Sequence, residues 1–489
     1  MLLATAALTG CAAGHPRTPA TVLPPVFEAP ASASPVVQLD RWWTLYDDAQ
    51  LTALIDEALA RGFDVREAVA RLDEARAVRG NALRQFDPSG NVQGSATRQQ
   101  TYDLGDGSGL AIGGGSSSGG SQGSGGGLGS LSNGLVIPGR SDSYSLSLPV
   151  SWELDLFGRR VAARRTADAE FEASRFAYLG VRTTLAADVA DQLFQARGLA
   201  VQVADSRETV RIRQELRRVA DIRAARGLAP RADVNRVDTE LATAQAQLAL
   251  QEAQLFAARR TLLALLGRAS DRLESVPIQG ALALPPAVPA GLPADLLTRR
   301  PDVLEARARL ESAIGRMRTA ELAQLPTITL TPSVGLNAQR GVFSSTTGFW
   351  SLGASLLVPL LDRARLMTEV RIQDARTEQA VLAFERSVQR AFSESDQAIA
   401  KLAADRRRVE MLVRGETRAR ASYDATLAQY RRGLSDLQGL LDAEATWRAA
   451  RTQTSAARID ALSRSVQLFK ALGGGWSASD PLPSGRTDK

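Results

Sequence analysis

The chain is nearly bare of the side chains that catalysis and metal binding draw on: its 489 residues include one cysteine, Cys11, and one histidine, His15. A single cysteine excludes a disulfide within the chain, and one cysteine with one histidine excludes the Cys-x-x-Cys and His-x-x-x-His ligand pairs of zinc sites. No G-x-x-x-x-G-K-[ST] phosphate loop occurs. The sequence therefore points away from an enzyme and calls for no cofactor or metal. Lysine is almost missing too, with Lys401, Lys470 and Lys489 the only three. The net charge of +6 is carried by arginines interleaved with Asp and Glu, which is the pattern of solvated helix faces and not of a nucleic-acid-binding block. No apolar run reaches 18 residues, so no helix is expected to span a bilayer.

What the chain does have is a duplication. Asp64-Val65, Ala68, Leu72, Ala75 and Pro88 recur 238 residues later as Asp302-Val303, Ala306, Leu310, Ala313 and Pro326. Further on, Arg226-Gly227-Leu228 and Leu266-Gly267 recur as Arg432-Gly433-Leu434 and Leu472-Gly473 at an offset of 206, so the first copy holds 32 extra residues. Two copies are too few for a solenoid, and the unit is expected to complete itself by oligomerising.

Each copy opens with helical periodicity: Leu51, Leu54, Ile55, Ala58 and Leu59, a break at Gly62, then Val65, Ala68, Val69 and Leu72. Beyond Pro88 the period becomes two. Tyr144, Leu146, Leu148, Val150, Trp152, Leu154 and Leu156 alternate with Ser143, Ser145, Ser147, Pro149, Ser151, Glu153 and Asp155. Ile328 to Ala338 and Trp350 to Val358 repeat the pattern. Strands are expected at about 89–102 and 143–157 in the first copy and at about 327–340 and 349–360 in the second. A transmembrane barrel gives this alternation, and so does a half-buried soluble sheet. The extra residues of the first copy lie in the connection 103–142, where 15 of the 35 residues from Gly105 to Gly139 are glycine and 8 are serine. Such a segment buries too little to order itself.

After each strand pair the chain turns helical for a long way. Val161 to Arg226 has no proline and would extend roughly 100 Å as one helix, and Arg365 to Arg432 is alike. Gly227 and Gly433 then break the helix. Pro230 suits the first turn of one return helix and Ser435 the N-cap of the other. Val234, Leu241, Leu248, Leu255 and Leu262 stand seven apart, as do Leu440, Trp447, Thr454, Ala461 and Leu468, the last set weakened by Thr454 and Ala461. The spacing predicts two antiparallel coiled-coil hairpins, over 161–266 and 365–472. Four strands per chain cannot close a barrel; three chains supply twelve strands and six hairpins. The organisation is then a first repeat over 39–267, a linker over 268–291, a second repeat over 292–473 and a tail over 474–489.

Residues 1–10 form a short apolar run ending Leu8-Thr9-Gly10-Cys11, which resembles the end of a bacterial lipoprotein signal peptide, with Cys11 the acylated residue after cleavage. No charged residue precedes Cys11, unlike the usual n-region. Ala12 behind the cysteine fits sorting to the outer membrane, and residues 11–38, rich in Pro and Ala, read as a lipid-anchored tether.

Taken with Trp42-Trp43, the run Trp152-Glu153-Leu154-Asp155-Leu156-Phe157-Gly158 and the run Leu292-Pro293-Ala294-Asp295-Leu296-Leu297-Thr298-Arg299-Arg300-Pro301-Asp302-Val303, the sequence resembles the TolC-like outer membrane factors, in particular the NodT-like efflux lipoproteins. The resemblance covers about residues 36–476. It implies a mainly α protein with a β-barrel portion, in which a duplicated unit of helical hairpin plus two strands trimerises into a twelve-stranded outer-membrane barrel and a periplasmic helical tunnel. It also implies a passive exit duct working with a periplasmic adaptor and an inner-membrane pump. Two features depart from the pattern: the Gly/Ser connection is longer, and Pro359-Leu360-Leu361-Asp362-Arg363 lacks the usual glycines. The hairpin tips Gly227, Leu228, Gly433 and Leu434 are then the expected adaptor-docking points, since glycine permits the turn and an exposed leucine supplies an apolar anchor; a plain hairpin turn needs the same residues. Asp233 and Asp436, just past the tips, are gate candidates, although a helix dipole alone favours an acid in the first turn. The competing architecture is a lipid-anchored periplasmic coiled-coil scaffold without a pore.

Overall fold

The computed structural model describes residues 18–20, 23–29, 39–101, 139–228, 230–278, 284–286, 292–341, 344–477 and 483. Cys11 and the leader 1–10 lie outside the described residues, as do most of the tether 11–38, most of the connection 103–142, part of the linker 268–291 and most of the tail. The chain divides into a helical unit, residues 1–82, 163–318 and 370–489, and a strand unit, residues 83–162 and 319–369.

The strand unit holds β1 (Ser89–Gly90), β2 (Gln93–Thr101), β3 (Gly139–Leu154), β4 (Thr327–Arg340) and β5 (Ser345–Leu357). All pairings are antiparallel: β1 and β2 pair with β3, β3 with β4, and β4 with β5. β1 and β2 are one strand in one register, Ser89 opposite Ser151 and Gln93 opposite Ser147. The ladder lapses between them across from Pro149, which has no N–H to give. The β3–β4 ladder lapses likewise between Pro149 opposite Ser333 and Trp152 opposite Leu330, where Pro332 sits on the facing strand.

Strand ends differ from the sequence expectation. β3 runs over Gly139–Leu154 and not 143–157, and β5 over Ser345–Leu357 and not 349–360. At the C-terminal end of β3 the cause is Asp155. Its carboxylate accepts from the backbone N–H groups of Gly158 at 2.8 Å, Arg159 at 2.7 Å and Arg160 at 3.0 Å, and Gly158 takes φ +84°. Asp155 thus satisfies the orphan donors that open the next helix, α3 (Arg159–Ala225). Leu156 and Phe157 consequently fall in the turn and not on a strand. The second copy turns without a left-handed residue between Pro359 and α7 (Arg363–Arg431).

The helical unit begins with a 3₁₀ turn over Trp42–Tyr46, then α1 (Ala49–Arg61) and α2 (Phe63–Arg84), divided at Gly62. After α3 come α4 (Arg231–Leu265), the short α5 (Leu296–Arg299), α6 (Pro301–Leu322), α7 and α8 (Leu437–Ala471). Trp42, fully buried, stacks on Phe469 of α8 at 5.2 Å. Truncating a ring so placed typically costs about 3–5 kcal/mol. Tyr46 packs on Phe194 and its hydroxyl meets Ser465 Oγ at 2.5 Å; burial raises its pKa far above the phenol range. Trp476 Nε1 donates to Arg299 O at 2.9 Å, and the backbone N–H of Gly475 donates to Leu39 O at 2.9 Å. Both ends of the described chain therefore close on one core. The Arg-Arg-Pro-Asp run gains a physical role here as well: the buried Arg300 donates to Asp302, to Glu394 at 2.8 Å and to the C-terminal carbonyl of α8 at Ala471, 3.1 Å away.

Four helices end in the same Schellman turn. Leu228 N donates to Arg223 O and Gly227 N to Ala224 O; the same pair of bonds recurs at Gly267, Gly433 and Gly473. Each of these glycines has φ between +70° and +77°, where any Cβ is strained. At Gly267 and Gly473 there is no room either, since a Cβ would lie 3.0 Å from Arg61 O and 2.5 Å from Arg299 O respectively.

The two return helices are not equally covered. Leu440, Trp447, Thr454, Ala461 and Leu468 of α8 are all buried, whereas in α4 only Leu262 of the corresponding set is, and Val234, Leu241, Leu248 and Leu255 stay half-buried. Thr454 and Ala461, expected to weaken the seam, are instead among its most buried residues, since small side chains let helices approach closely. The N-cap of α8 is Asp436 and not Ser435: its Oδ1 accepts from Gly439 N at 2.8 Å. Pro230 occupies the N-cap of α4 and not its first turn.

Candidate functional site

Residues directly opposite in an antiparallel sheet share a face. The register therefore places Leu146 beside Leu336, Leu148 beside Val334 and Trp350, Trp152 beside Leu330 and Ala354, and Leu154 beside Ile328 and Leu356. One whole face of four paired strands is apolar, from Tyr144 at one end to Leu154 at the other. The described residues leave it uncovered: Trp350 is 81% exposed, and Leu146, Leu336, Leu352 and Leu356 all exceed half. Soluble proteins seldom leave an apolar face of this kind open. The opposite face carries Ser95 hydrogen-bonded to Ser145 at 2.7 Å, Ser143, Ser147, Thr329, Thr331, Ser333, Asn337, Gln339, Thr347, Ser351 and Ser355. Its main exception is Phe349, whose ring lies over Gly335, so close that a Cβ on the glycine would come within 2.7 Å. Among the described residues the outer edges of β2 and β5 have no partner strand.

In the helical unit the tips are built as four backbone-defined positions. Gly227 and Gly433 have open space where a Cβ would be, and Leu228 and Leu434 are 67% and 74% exposed. The two tips touch through residues the sequence did not mark: Arg223 Nη1 donates to Tyr430 Oη at 2.9 Å, and its guanidinium lies over the ring. The two acids are not equivalent. Asp436 is an exposed N-cap, while Asp233 is half-buried in the first turn of α4. In each helix start the carboxylate already faces the positive end of the helix dipole.

Above the tips, α3, α7 and α8 enclose a cleft of about 900 Å³ lined by Ile212, Leu216, Tyr423 and Trp447 among others. Trp447 stacks on Tyr423 at 5.1 Å, and the Arg448 guanidinium lies 4.6 Å from the centre of its ring. Beneath it Glu444, 1% exposed, sits 3.4 Å from Arg213 Nη2 of α3 and 3.6 Å from Arg448 Nε; Arg213 also pairs with Glu240 of α4. This charge cluster joins the two hairpins, and the signal for it was a glutamate on the apolar stripe of α8, between Leu440 and Trp447. Among the described residues no group of His, Cys, Asp and Glu could hold a metal ion, and no helix is long and apolar enough to cross a membrane.

The comparisons with known proteins agree in one direction. The family model described as outer membrane efflux protein matches residues 54–268 and 292–474. The pyoverdine export outer membrane protein OpmQ of Pseudomonas aeruginosa is 29% identical over 92% of this chain and 90% of its own length. The toluene efflux pump outer membrane protein TtgF of Pseudomonas putida is 27% identical over 90% of this chain and 87% of its own. Among solved structures, the outer-membrane channel OprN superposes with a TM-score of 0.77 at 27% identity, covering 94% of this chain and 98% of that one.

Proposed function

The chain belongs to the outer membrane efflux protein family, and from that membership we propose that three copies assemble into the outer-membrane channel of a tripartite efflux system. The observation that carries this reading is the four-strand sheet, apolar on one face, polar on the other and open at both edges. Three such sheets joined edge to edge close a twelve-stranded barrel and leave no edge in lipid. From Tyr144 to Leu154 a strand tilted by about 40° rises roughly 25 Å, the height of a barrel's apolar band. The polar face then lines water. The chain performs no chemistry; an inner-membrane pump supplies energy and a periplasmic adaptor links the two. A wall of Ser, Thr, Gly and Asn discriminates weakly among solutes, so the pump chooses the cargo. Cys11, acylated, adds a lipid anchor.

The Cys11→Ala protein tests the channel directly. It is expected to stay with the outer-membrane fraction and, once extracted in detergent, to have the mass of three chains by light scattering. A soluble monomer or dimer would overturn the channel and leave a periplasmic scaffold.

Docking of the adaptor falls to the tips, where Leu228 and Leu434 stand out from rigid Schellman turns, and Asp233 and Asp436 contribute to closing the tip in the resting state. Two apolar anchors of hot-spot strength predict that a Leu228→Asp, Leu434→Asp variant loses export at least about tenfold while its trimers remain intact. Export at the parental rate in a cell-based efflux assay would remove the tips from the docking surface.

A further inference from the structure

The five strands contain three basic residues in all, Arg98, Arg140 and Arg340, and these lie together at one end of the sheet. The register fixes their face. Arg98 is opposite Asp142, Asp142 is opposite Arg340, and Arg140 is opposite Gln100. Asp142 is two residues from Tyr144, so the whole group continues the apolar face one or two steps beyond its last aromatic residue. Three guanidinium groups meet one carboxylate there, and that carboxylate is already taken: Arg98 Nε donates to Asp142 Oδ1 at 2.7 Å and Nη2 to Oδ2 at 3.2 Å. Arg140 and Arg340 are both exposed. The only other acid of the strands, Glu153, belongs to the far end and the opposite face, where it accepts from Arg159.

We propose that Arg98, Arg140 and Arg340 form a binding site for the phosphate of an anionic lipid whose acyl chains lie against Tyr144, Leu146 and Leu336. The inference rests on the channel reading, which puts the apolar face in lipid. A planar guanidinium donates to phosphate oxygens in pairs, and it does so best beside a surface that excludes water. Tyr144 just inside the arginines gives the ring-and-hydroxyl boundary expected where hydrocarbon meets headgroups. The site is at the loop ends of the hairpins, β2 to β3 and β4 to β5, while the other strand ends lead along the chain into α2, α3, α6 and α7. In a channel whose helices occupy the periplasm, this rim lies in the outer leaflet, and each trimer carries three such sites. Asp142 holds Arg98 in an orientation along the face, so that one arginine is fixed and two are free to close on the headgroup.

Trimers in neutral detergent, wild type and Arg140→Ser, Arg340→Ser, are titrated with phosphatidylglycerol and with phosphatidylcholine of the same chains, and bound lipid is counted by native mass spectrometry. Arg98 is kept so that its pair with Asp142 survives. Wild type is expected to prefer phosphatidylglycerol about tenfold and the variant to lose that preference, with excess inorganic phosphate failing to displace the lipid. Equal preference in both proteins would overturn the site, leaving the arginines as rim residues that merely reach water; displacement by inorganic phosphate would make it a small-anion site and not a lipid one. Insertion of both proteins into vesicles is measured alongside. A wild type that does not insert sinks the channel reading itself, whereas insertion without lipid preference sinks only this inference.

Discussion

Leu148→Arg is expected to destabilise the inserted protein by about 2–4 kcal/mol, and Ser147→Arg, one residue away, by no more than about 1 kcal/mol. Leu148 lies at the centre of the apolar face, opposite Val334, which is itself opposite Trp350. A guanidinium there is far from either rim and has no partner, so its charge must be carried in hydrocarbon or dragged to an interface at the expense of packing. Ser147 points the other way, opposite Gln93 and Gly335, where an arginine stays in water. Denaturant titration of the protein folded into vesicles, followed by the gel mobility of folded and unfolded forms, reads both variants. A similar loss at the two positions would mean that the faces are not divided between lipid and water.

Glu444→Leu is expected to cost about 3 kcal/mol or more. Removing the carboxylate leaves Arg213, which is 8% exposed, and Arg448 facing each other without the charge between them. Arg213 keeps Glu240 and Arg448 keeps its place over Trp447, which limits the loss. The paired replacement Arg213→Met, Glu444→Leu removes one charge of each sign and should recover most of the stability, because an ion pair taken from water contributes little over well-packed apolar groups. Thermal unfolding of the detergent-solubilised trimers compares the three proteins. Should the pair be as unstable as Glu444→Leu alone, the cluster contributes more than charge balance.

The two faces of the sheet were legible because a strand has a period of two and this chain largely keeps it: Leu146, Leu148 and Trp152 fall on one side, and Phe349 is the main departure. The limits of the strands were not. β3 begins at Gly139 and β5 at Ser345 because cross-strand pairing, Thr101 with Gly139 and Gln339 with Ser345, extends the ladder into residues whose own composition reads as loop. The far end went wrong for a different reason. Leu156 continues the alternation on paper, but Asp155 spends its carboxylate on three backbone donors and starts a helix. The glycines of the tips announced themselves, since a left-handed turn between long helices leaves little choice. Arg223 and Tyr430 did not, because nothing in a local pattern says that two residues 207 apart share a hydrogen bond. The arginine rim was hidden in the same way: Arg98, Arg140 and Arg340 look unrelated until the register aligns them.

The sheet's pairings also order its assembly in time. β2 with β3 and β4 with β5 are neighbours in sequence, as are the two arms of each helical hairpin, and contacts of this kind form early. The β3–β4 ladder is different. It pairs Leu154 with Ile328 and Asp142 with Arg340, so that a whole helical hairpin and α6 must be threaded between the strands before the ladder can zip. Closing such a long loop is entropically expensive and slow. The edges of β2 and β5 wait longer still, for two other chains. In that order the hairpins form first, and the apolar face stays divided among separate ribbons until β3 and β4 pair. That keeps the most aggregation-prone surface in small pieces until the membrane is there to receive it.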